Sequence, residues 1–267
     1  MKDYIREIVS KAADRLLGRS MAREYCQARI LQALQDGGAF RTWVFCGGTA
    51  LRFLYGLPRY SGDLDFALTS PAASVAFAEL LDRIPRVLET EGYRVSVKPD
   101  ERRTVKSAFV RFEGLLHDVG LSPHASEVLA VKIELDARPP AGGTAETTVV
   151  RKHVLLNLLH YTKPCLLAGK LHAVLARSYA KGRDLYDLLW YLSDRNWPGP
   201  DIAFLQNALE QTGWTGTPVT SSNWRHVVAE RLDLIDWSRI VEDARPFLER
   251  TGDADLLRKE HLLSLLR

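Results

Sequence analysis

Residues 46–66 read Cys46-Gly47-Gly48-Thr49-Ala50-Leu51-Arg52-Phe53-Leu54-Tyr55-Gly56-Leu57-Pro58-Arg59-Tyr60-Ser61-Gly62-Asp63-Leu64-Asp65-Phe66. A glycine pair is followed by two carboxylates spaced two apart. A β-strand repeats every two residues, so Asp63 and Asp65 project from one face while Leu64 and Phe66 turn to a core. Like charges so close repel, and a divalent cation is the usual partner that makes the arrangement favourable. Gly47 and Gly48 follow the apolar run Trp43-Val44-Phe45, where bare backbone amides can approach a phosphate, and Thr49–Tyr55 opens a helix. Strand, Gly-Gly, short helix and Asp-x-Asp strand together predict a site for a nucleoside triphosphate and magnesium. Alone, an Asp-x-Asp is common on exposed strands and a Gly-Gly is usually a turn. The stretch lacks both the Gly-x4-Gly-Lys-[Ser/Thr] of a P-loop and the Gly-x-Gly-x-x-Gly of a dinucleotide fold.

The 267 residues suffice for one large domain or two modest ones, and 46% hydrophobic with 26% charged residues is an ordinary globular composition. No apolar run approaches the ~20 residues of a membrane span, and the charged, amphipathic start Met1–Leu17 has no signal-peptide core. Cys26, Cys46 and Cys165 are widely separated, which argues against a zinc site or disulfide framework and for a reducing cytoplasm. A net charge of +3 does not by itself argue for nucleic acid. Lys98, Arg102, Arg103, Lys106 and Arg111, and then Arg177, Lys181 and Arg183, form basic clusters that can hold phosphates, although solvated surfaces look the same.

Outward from the opening stretch, the first ~35 residues read as helix, stopped by Asp36-Gly37-Gly38. Ser70-Pro71 predicts the start of another, with Phe77, Leu80, Leu81, Ile84 and Leu88 on its apolar face. Tyr93–Val97 and Val105–Phe112 alternate as paired strands. Leu129–Asp136 alternates as well, with Val131, Ile133 and Leu135 on one face and Lys132, Glu134 and Asp136 on the other. Arg138-Pro-Pro-Ala-Gly-Gly-Thr marks a boundary, after which Val154, Leu155, Leu158 and Leu159 read as helical. Further helices are expected at 170–192 and, in two or three pieces, after Pro198-Gly-Pro200. The expected division is a mixed α/β domain over 1–145, including the N-terminal helices, and a helical domain over 146–267.

Nucleotidyl transfer asks a protein mainly for positioning and charge neutralisation. Asp63 and Asp65 are the expected metal ligands. Glu134 or Asp136 fits a third carboxylate that orients or deprotonates the acceptor hydroxyl, with Glu134 slightly favoured; the plain alternative is the wet side of an edge strand. Lys170 and Arg177 share a helix that should break at Lys181-Gly182 and restart near Asp184. Lys170 then points at a triphosphate, held by Asp184, or else is a surface lysine beside a helix-capping aspartate. His160 and His172 read as core or surface histidines, and Trp190, Trp197, Trp214, Trp224 and Trp237 as core or partner contacts.

Taken in order, Gly47-Gly48-Thr49-Ala50-Leu51, Arg59-x-Ser61-x-Asp63-x-Asp65, Lys132-x-Glu134, Lys170 and Arg183-Asp184-x-x-Asp187-Leu188 resemble the AbiEii/AbiGii family of nucleotidyltransferase toxins. The resemblance implies an α+β fold: a polymerase β-like nucleotidyltransferase core, a mixed sheet with flanking helices, plus a C-terminal helical region. It implies Mg2+ (or Mn2+) on Asp63 and Asp65, and NTP as substrate held by Gly47, Gly48, Thr49, Ser61 and Lys170. Lys170 is its phosphate contact and Asp184 a further essential acid, with the helical region contributing both to a cleft. Asp187 reads as structural, tying its helix to the sheet through Arg183. The implied function is a toxin of a toxin–antitoxin or abortive-infection system that adds nucleotides to the tRNA 3′ end and inhibits translation. A cognate antitoxin is then the partner, and the protein is expected to be a cytoplasmic monomer with no membrane association. Competing readings are a nucleotidyltransferase acting on a small molecule or protein, and a non-catalytic nucleotide-binding regulator.

Overall fold

The computed structural model describes residues 2–73 and 76–267. The chain forms two compact units, one of Met1–Gly56, Tyr60–Pro139 and Thr147–His160, the other of Leu57–Arg59, Pro140–Glu146 and Tyr161–Arg267.

In the first unit, helices α1 (Lys2–Val9) and α2 (Arg15–Asp36) precede strand β1 (Trp43–Cys46), helix α3 (Gly47–Tyr55) and strand β2 (Asp63–Leu68). The N-terminal stretch read as one helix is therefore two. The Asp14 side chain accepts a hydrogen bond from the Leu17 amide and starts α2 afresh. Helix α4 (Phe77–Glu89) begins later than Ser70-Pro71 predicted: Ser70, Pro71 and Ala72 form turns, and residues 74 and 75 lie outside the described residues. The expected apolar face is correct, with Phe77, Leu80, Leu81, Ile84 and Leu88 all buried. Strands β3 (Val95–Asp100) and β4 (Val105–Phe112), the short helix α5 (Leu115–Asp118), and strands β5 (Leu129–Asp136), β6 (Ala145–Lys152) and β7 (Val154–Tyr161) follow.

The seven strands make one sheet in the order β3-β4-β5-β2-β1-β7-β6. It is mixed: β1 pairs antiparallel with β2 and parallel with β7, and β2 pairs parallel with β5. Trp43, Phe45, Leu64, Phe66, Val131, Ile133 and Leu135 are buried between this sheet and its helices. Strands β6 and β7 correct the helical reading of Val154–Leu159. Val154, Leu155, Leu158 and Leu159 satisfy a three-to-four spacing, but Leu156 and Leu158 are the buried residues and Leu155 faces solvent, which is a period of two. The β-branched run Thr147-Thr148-Val149-Val150 was the available strand signal.

Glu24 on α2 is buried and meets Arg52, Lys152 at 3.3 Å and His153 at 3.4 Å. Burial alone would raise its pKa, yet the His153 hydrogen bond and the Arg52 and Lys152 charges pull it down to about 2. A lowered folded value stabilises the fold above the unfolded value, and that contribution disappears as pH falls through the folded one. Denaturant titrations should therefore lose about 3 kcal/mol between about pH 4.5 and pH 2. Glu24→Gln should flatten this dependence while lowering stability at neutral pH.

The second unit is helical: α6 (Lys163–Ala176), α7 (Gly182–Ser193), α8 (Ile202–Gln211), α9 (Trp224–Asp233), α10 (Ile240–Ala244) and α11 (Lys259–Leu265), with short 3₁₀ turns. The expected break at Lys181-Gly182 is where α7 begins. Gly182 admits close packing, because a Cβ there would overlap the Ile240 carbonyl oxygen.

Candidate active site

Three neighbouring strands of the first unit assemble the motif residues. Strand β1 runs into α3 at Gly47, whose φ of +76° an L side chain adopts only under strain. A Cβ at Gly47 would overlap the Asp65 carboxylate, so the bare backbone lies directly against that acid. Helix α3 starts without a capping side chain, which leaves its first amides as the kind of positive end that suits an anion. The Thr49 hydroxyl donates to the Asp63 carbonyl, and Thr49 is fully buried. This bond ties the glycine turn to the aspartate strand. Ser61 is half-buried, and its carbonyl accepts from Gln27 Nε2 at 2.9 Å.

Asp63 and Asp65 are half-buried on one face of β2, with Leu64 buried behind them. The parallel register sets Lys132 opposite Asp63 and Glu134 opposite Asp65, whereas Asp136 lies opposite Ala67 and accepts from the Arg138 amide at 2.8 Å. Of the two candidate third carboxylates, Glu134 is the one in line with the aspartates. Lys132 Nζ lies 2.6 Å from Glu134 Oε1, and this hydrogen bond, with the nearby Asp63 and Asp65 charges, raises the lysine pKa. Among the described residues no three His, Cys, Asp or Glu side chains form a ready metal-ligand group. Two carboxylates nevertheless suit Mg2+, which keeps waters and takes its remaining oxygens from substrate phosphates.

Gly47→Ala tests this geometry. The left-handed backbone should cost about 1–2 kcal/mol, read as a lower Tm. The displaced Asp65 should depress nucleotide transfer far more than the stability change alone would.

The second unit holds a buried charge cluster. Lys170 on α6 bonds Asp187 at 2.7 Å and Asp184 at 3.2 Å, both on α7, and Arg177 pairs with Asp184. The Arg59 guanidinium grips Asp187 through two hydrogen bonds of 2.5 and 2.6 Å, with Arg59 2% and Asp187 0% exposed. Desolvation would lower the Lys170 pKa, but the Asp187 and Asp184 charges outweigh it and raise the value; in turn Lys170 and Arg177 hold Asp184 low against its own burial. The Lys170–Asp184 pairing was expected from sequence. The expected tie of Asp187 through Arg183 is corrected: Arg59 and Lys170 bind Asp187, while the Arg183 guanidinium lies 4.3 Å over the Phe247 ring. No local signal could have paired Arg59 with a residue 128 positions away.

His160 is buried against Thr148 at 2.8 Å, and His172 meets Thr212 at 3.0 Å, as ordinary polar contacts. Trp197 packs edge-on against Trp190 and Tyr191, under the Lys163 ammonium.

A family model described as "Nucleotidyl transferase AbiEii toxin, Type IV TA system" matches residues 29–258. Two solved structures from Helicobacter pylori are similar over 92% of this chain. One, assigned as a nucleotidyltransferase, has 18% sequence identity and a TM-score of 0.52 over 92% of its own length. The other, JHP933, has 18% identity and a TM-score of 0.54 over 90% of its length. At this identity the likeness concerns the fold. No curated protein matches the chain.

Proposed function

The chain belongs to the AbiEii family of nucleotidyltransferase toxins of type IV toxin–antitoxin systems, and from that membership we propose that it transfers nucleotides from NTP to the 3′ end of tRNA, blocking translation until a cognate antitoxin counters it. The observation that carries the reading is the Gly47 backbone lying against Asp65 on the strand that also presents Asp63.

In this reading the α3 amides at Gly47 and Gly48 receive the triphosphate, and Asp63 and Asp65 hold Mg2+. The metal, when bound, supplies charge neutralisation on the triphosphate and lowers the pKa of the acceptor hydroxyl. The acceptor 3′-oxygen forms a bond to the α-phosphorus, the bond to the β-phosphate oxygen breaks, and pyrophosphate leaves. The hydroxyl proton passes to Glu134, the carboxylate in register with Asp65. Lys132 holds Glu134 in place at 2.6 Å. The family resemblance alone assigns Lys170 to nucleotide phosphate and Asp184 to an essential acid; within the second unit the two lie 3.2 Å apart. Among the described residues no helix is long and apolar enough to cross a membrane.

The test incubates purified protein with α-labelled NTPs, Mg2+ and either total tRNA or total protein. Label should enter tRNA, be released by 3′ exonuclease and require the metal. Label confined to protein, or to a small molecule, would replace the tRNA reading with that acceptor.

A further inference from the structure

The sheet face that carries Asp63 and Asp65 continues across β5, β4 and β3, and its cross-strand registers place a second feature on it. Lys132 lies opposite Asp63, Phe109 opposite Lys132, and Lys98 opposite Phe109. These four residues form one row across four strands. Directly opposite residues share a face, so the Phe109 side chain stands on the same side of the sheet as the metal-binding pair. Alternation along β4 is strict: Ala108, Val110 and Phe112 are buried, while Phe109 is 43% exposed. Among the described residues it is the one phenylalanine exposed to that degree. Arg111, two residues along the same strand and also exposed, shares this face, so the register sets Lys98 and Lys132 on either side of Phe109 and Arg111 next along its own strand. The nearest acids on the face are already engaged, Glu134 by Lys132 at 2.6 Å and Asp100 by Arg102 at 2.7 Å.

We propose that Phe109 is a base-stacking platform for the single-stranded 3′ end of the RNA acceptor, with Lys98 and Arg111 holding its backbone phosphates. The proposal rests on the nucleotidyl-transfer reading above. An exposed aromatic ring among cations on an open sheet is the arrangement that binds unpaired nucleotides, because every base has a π-face and every linkage a negative charge. The order of the strands identifies the occupant. The Gly47 turn that suits a triphosphate adjoins β2 from the β1 side, whereas Phe109 lies on the β5 and β4 side. Two strand spacings separate Phe109 from Asp63, about 10 Å, which a strand of about three stacked nucleotides spans. A 3′-hydroxyl at the aspartates therefore puts its upstream bases over Phe109, leaving the triphosphate on the other flank.

The experiment measures anisotropy of a 5′-fluorescein-labelled single-stranded RNA with the full chain, alongside the same strand sealed in a blunt duplex. Phe109→Ala and Phe109→Leu should each weaken single-strand binding by about 5- to 150-fold, whereas Phe109→Tyr and Phe109→Trp should stay within about twofold of wild type. Binding of the blunt duplex and KM for NTP should not change. Arg111→Ala should reduce the slope of log affinity against log salt by about 0.7. Because Phe109 is exposed, melting curves should show all variants folded. Wild-type affinity in Phe109→Leu would overturn stacking and leave an apolar surface for a protein partner; absence of RNA binding by wild type would overturn the platform outright. If RNA binds through Phe109 but receives no nucleotide, the platform stands and the transfer reading fails. If RNA is labelled equally by wild type and Phe109→Ala, the transfer reading stands and the platform fails.

Discussion

Asp63→Ala is expected to lower nucleotide transfer by about 10³-fold or more while leaving the fold intact. On the proposed mechanism the carboxylate would be worth that much because it would hold the cation that neutralises charge on the triphosphate, a contribution of several kcal/mol. Its effect on stability should be smaller: Asp63 is half-buried, and the attraction to Arg23 and Lys132 that is lost is set against relief of its repulsion with Asp65. Asp65→Ala should behave similarly. Steady-state transfer rates and thermal melting of the same preparations separate the two effects, and a Tm drop that accounts for the lost rate would refute the metal-ligand role. The strand register adds a graded comparison. Glu134→Gln, opposite Asp65, should cost about 10²-fold as a proton acceptor, and Asp136→Asn, opposite Ala67, should cost little. The reverse order would assign the third carboxylate to Asp136.

Arg59→Ala is expected to destabilise the protein by about 3–5 kcal/mol, the cost of breaking a buried ion pair from one side. Asp187 is 0% exposed and would lose both guanidinium hydrogen bonds. Lys170 remains 2.7 Å away but is shared with Asp184, which Arg177 also pairs, so Asp187 would keep only a share of one ammonium. Arg59→Lys should recover only part of the loss, since an ammonium cannot reproduce the two-pronged contact. Urea titrations of both variants check this, and a loss below about 1 kcal/mol for Arg59→Ala, the range of an exposed pair, would count against it. Lys170 is raised from an ordinary 10.5 and Asp184 lowered from 3.8, so their ionic contacts persist through the neutral range. The lysine's contribution is complete below its unfolded value and is lost as pH rises through the raised folded one; the aspartate's is lost as pH falls through its lowered one.

Much of the candidate site was legible because its signals are local. A glycine pair after an apolar strand, carboxylates two apart, and a Lys-x-Glu on an alternating run each follow from backbone geometry within a few residues. Helix α7 was predictable at Gly182 for the same reason. The strand pair β6 and β7 was not, because Val154–Leu159 is apolar at every position except Asn157 and its leucines fit helical as well as extended spacing.

By itself, the sequence determined the chemical inventory and its order: the Gly47-Gly48 turn, Asp63 and Asp65 on one strand face, Lys132 and Glu134 on another, and the Lys170–Asp184 pair across a helix break. Tertiary structure alone decided which groups meet. It set Glu134 rather than Asp136 opposite Asp65, closed Arg59 onto Asp187 across 128 residues, and lined Phe109 up with Asp63. The physical reason is that strand register and buried ion pairing arise from contacts between distant segments, fixed by burial of the other sheet face and by desolvation of charge, which a local pattern does not encode.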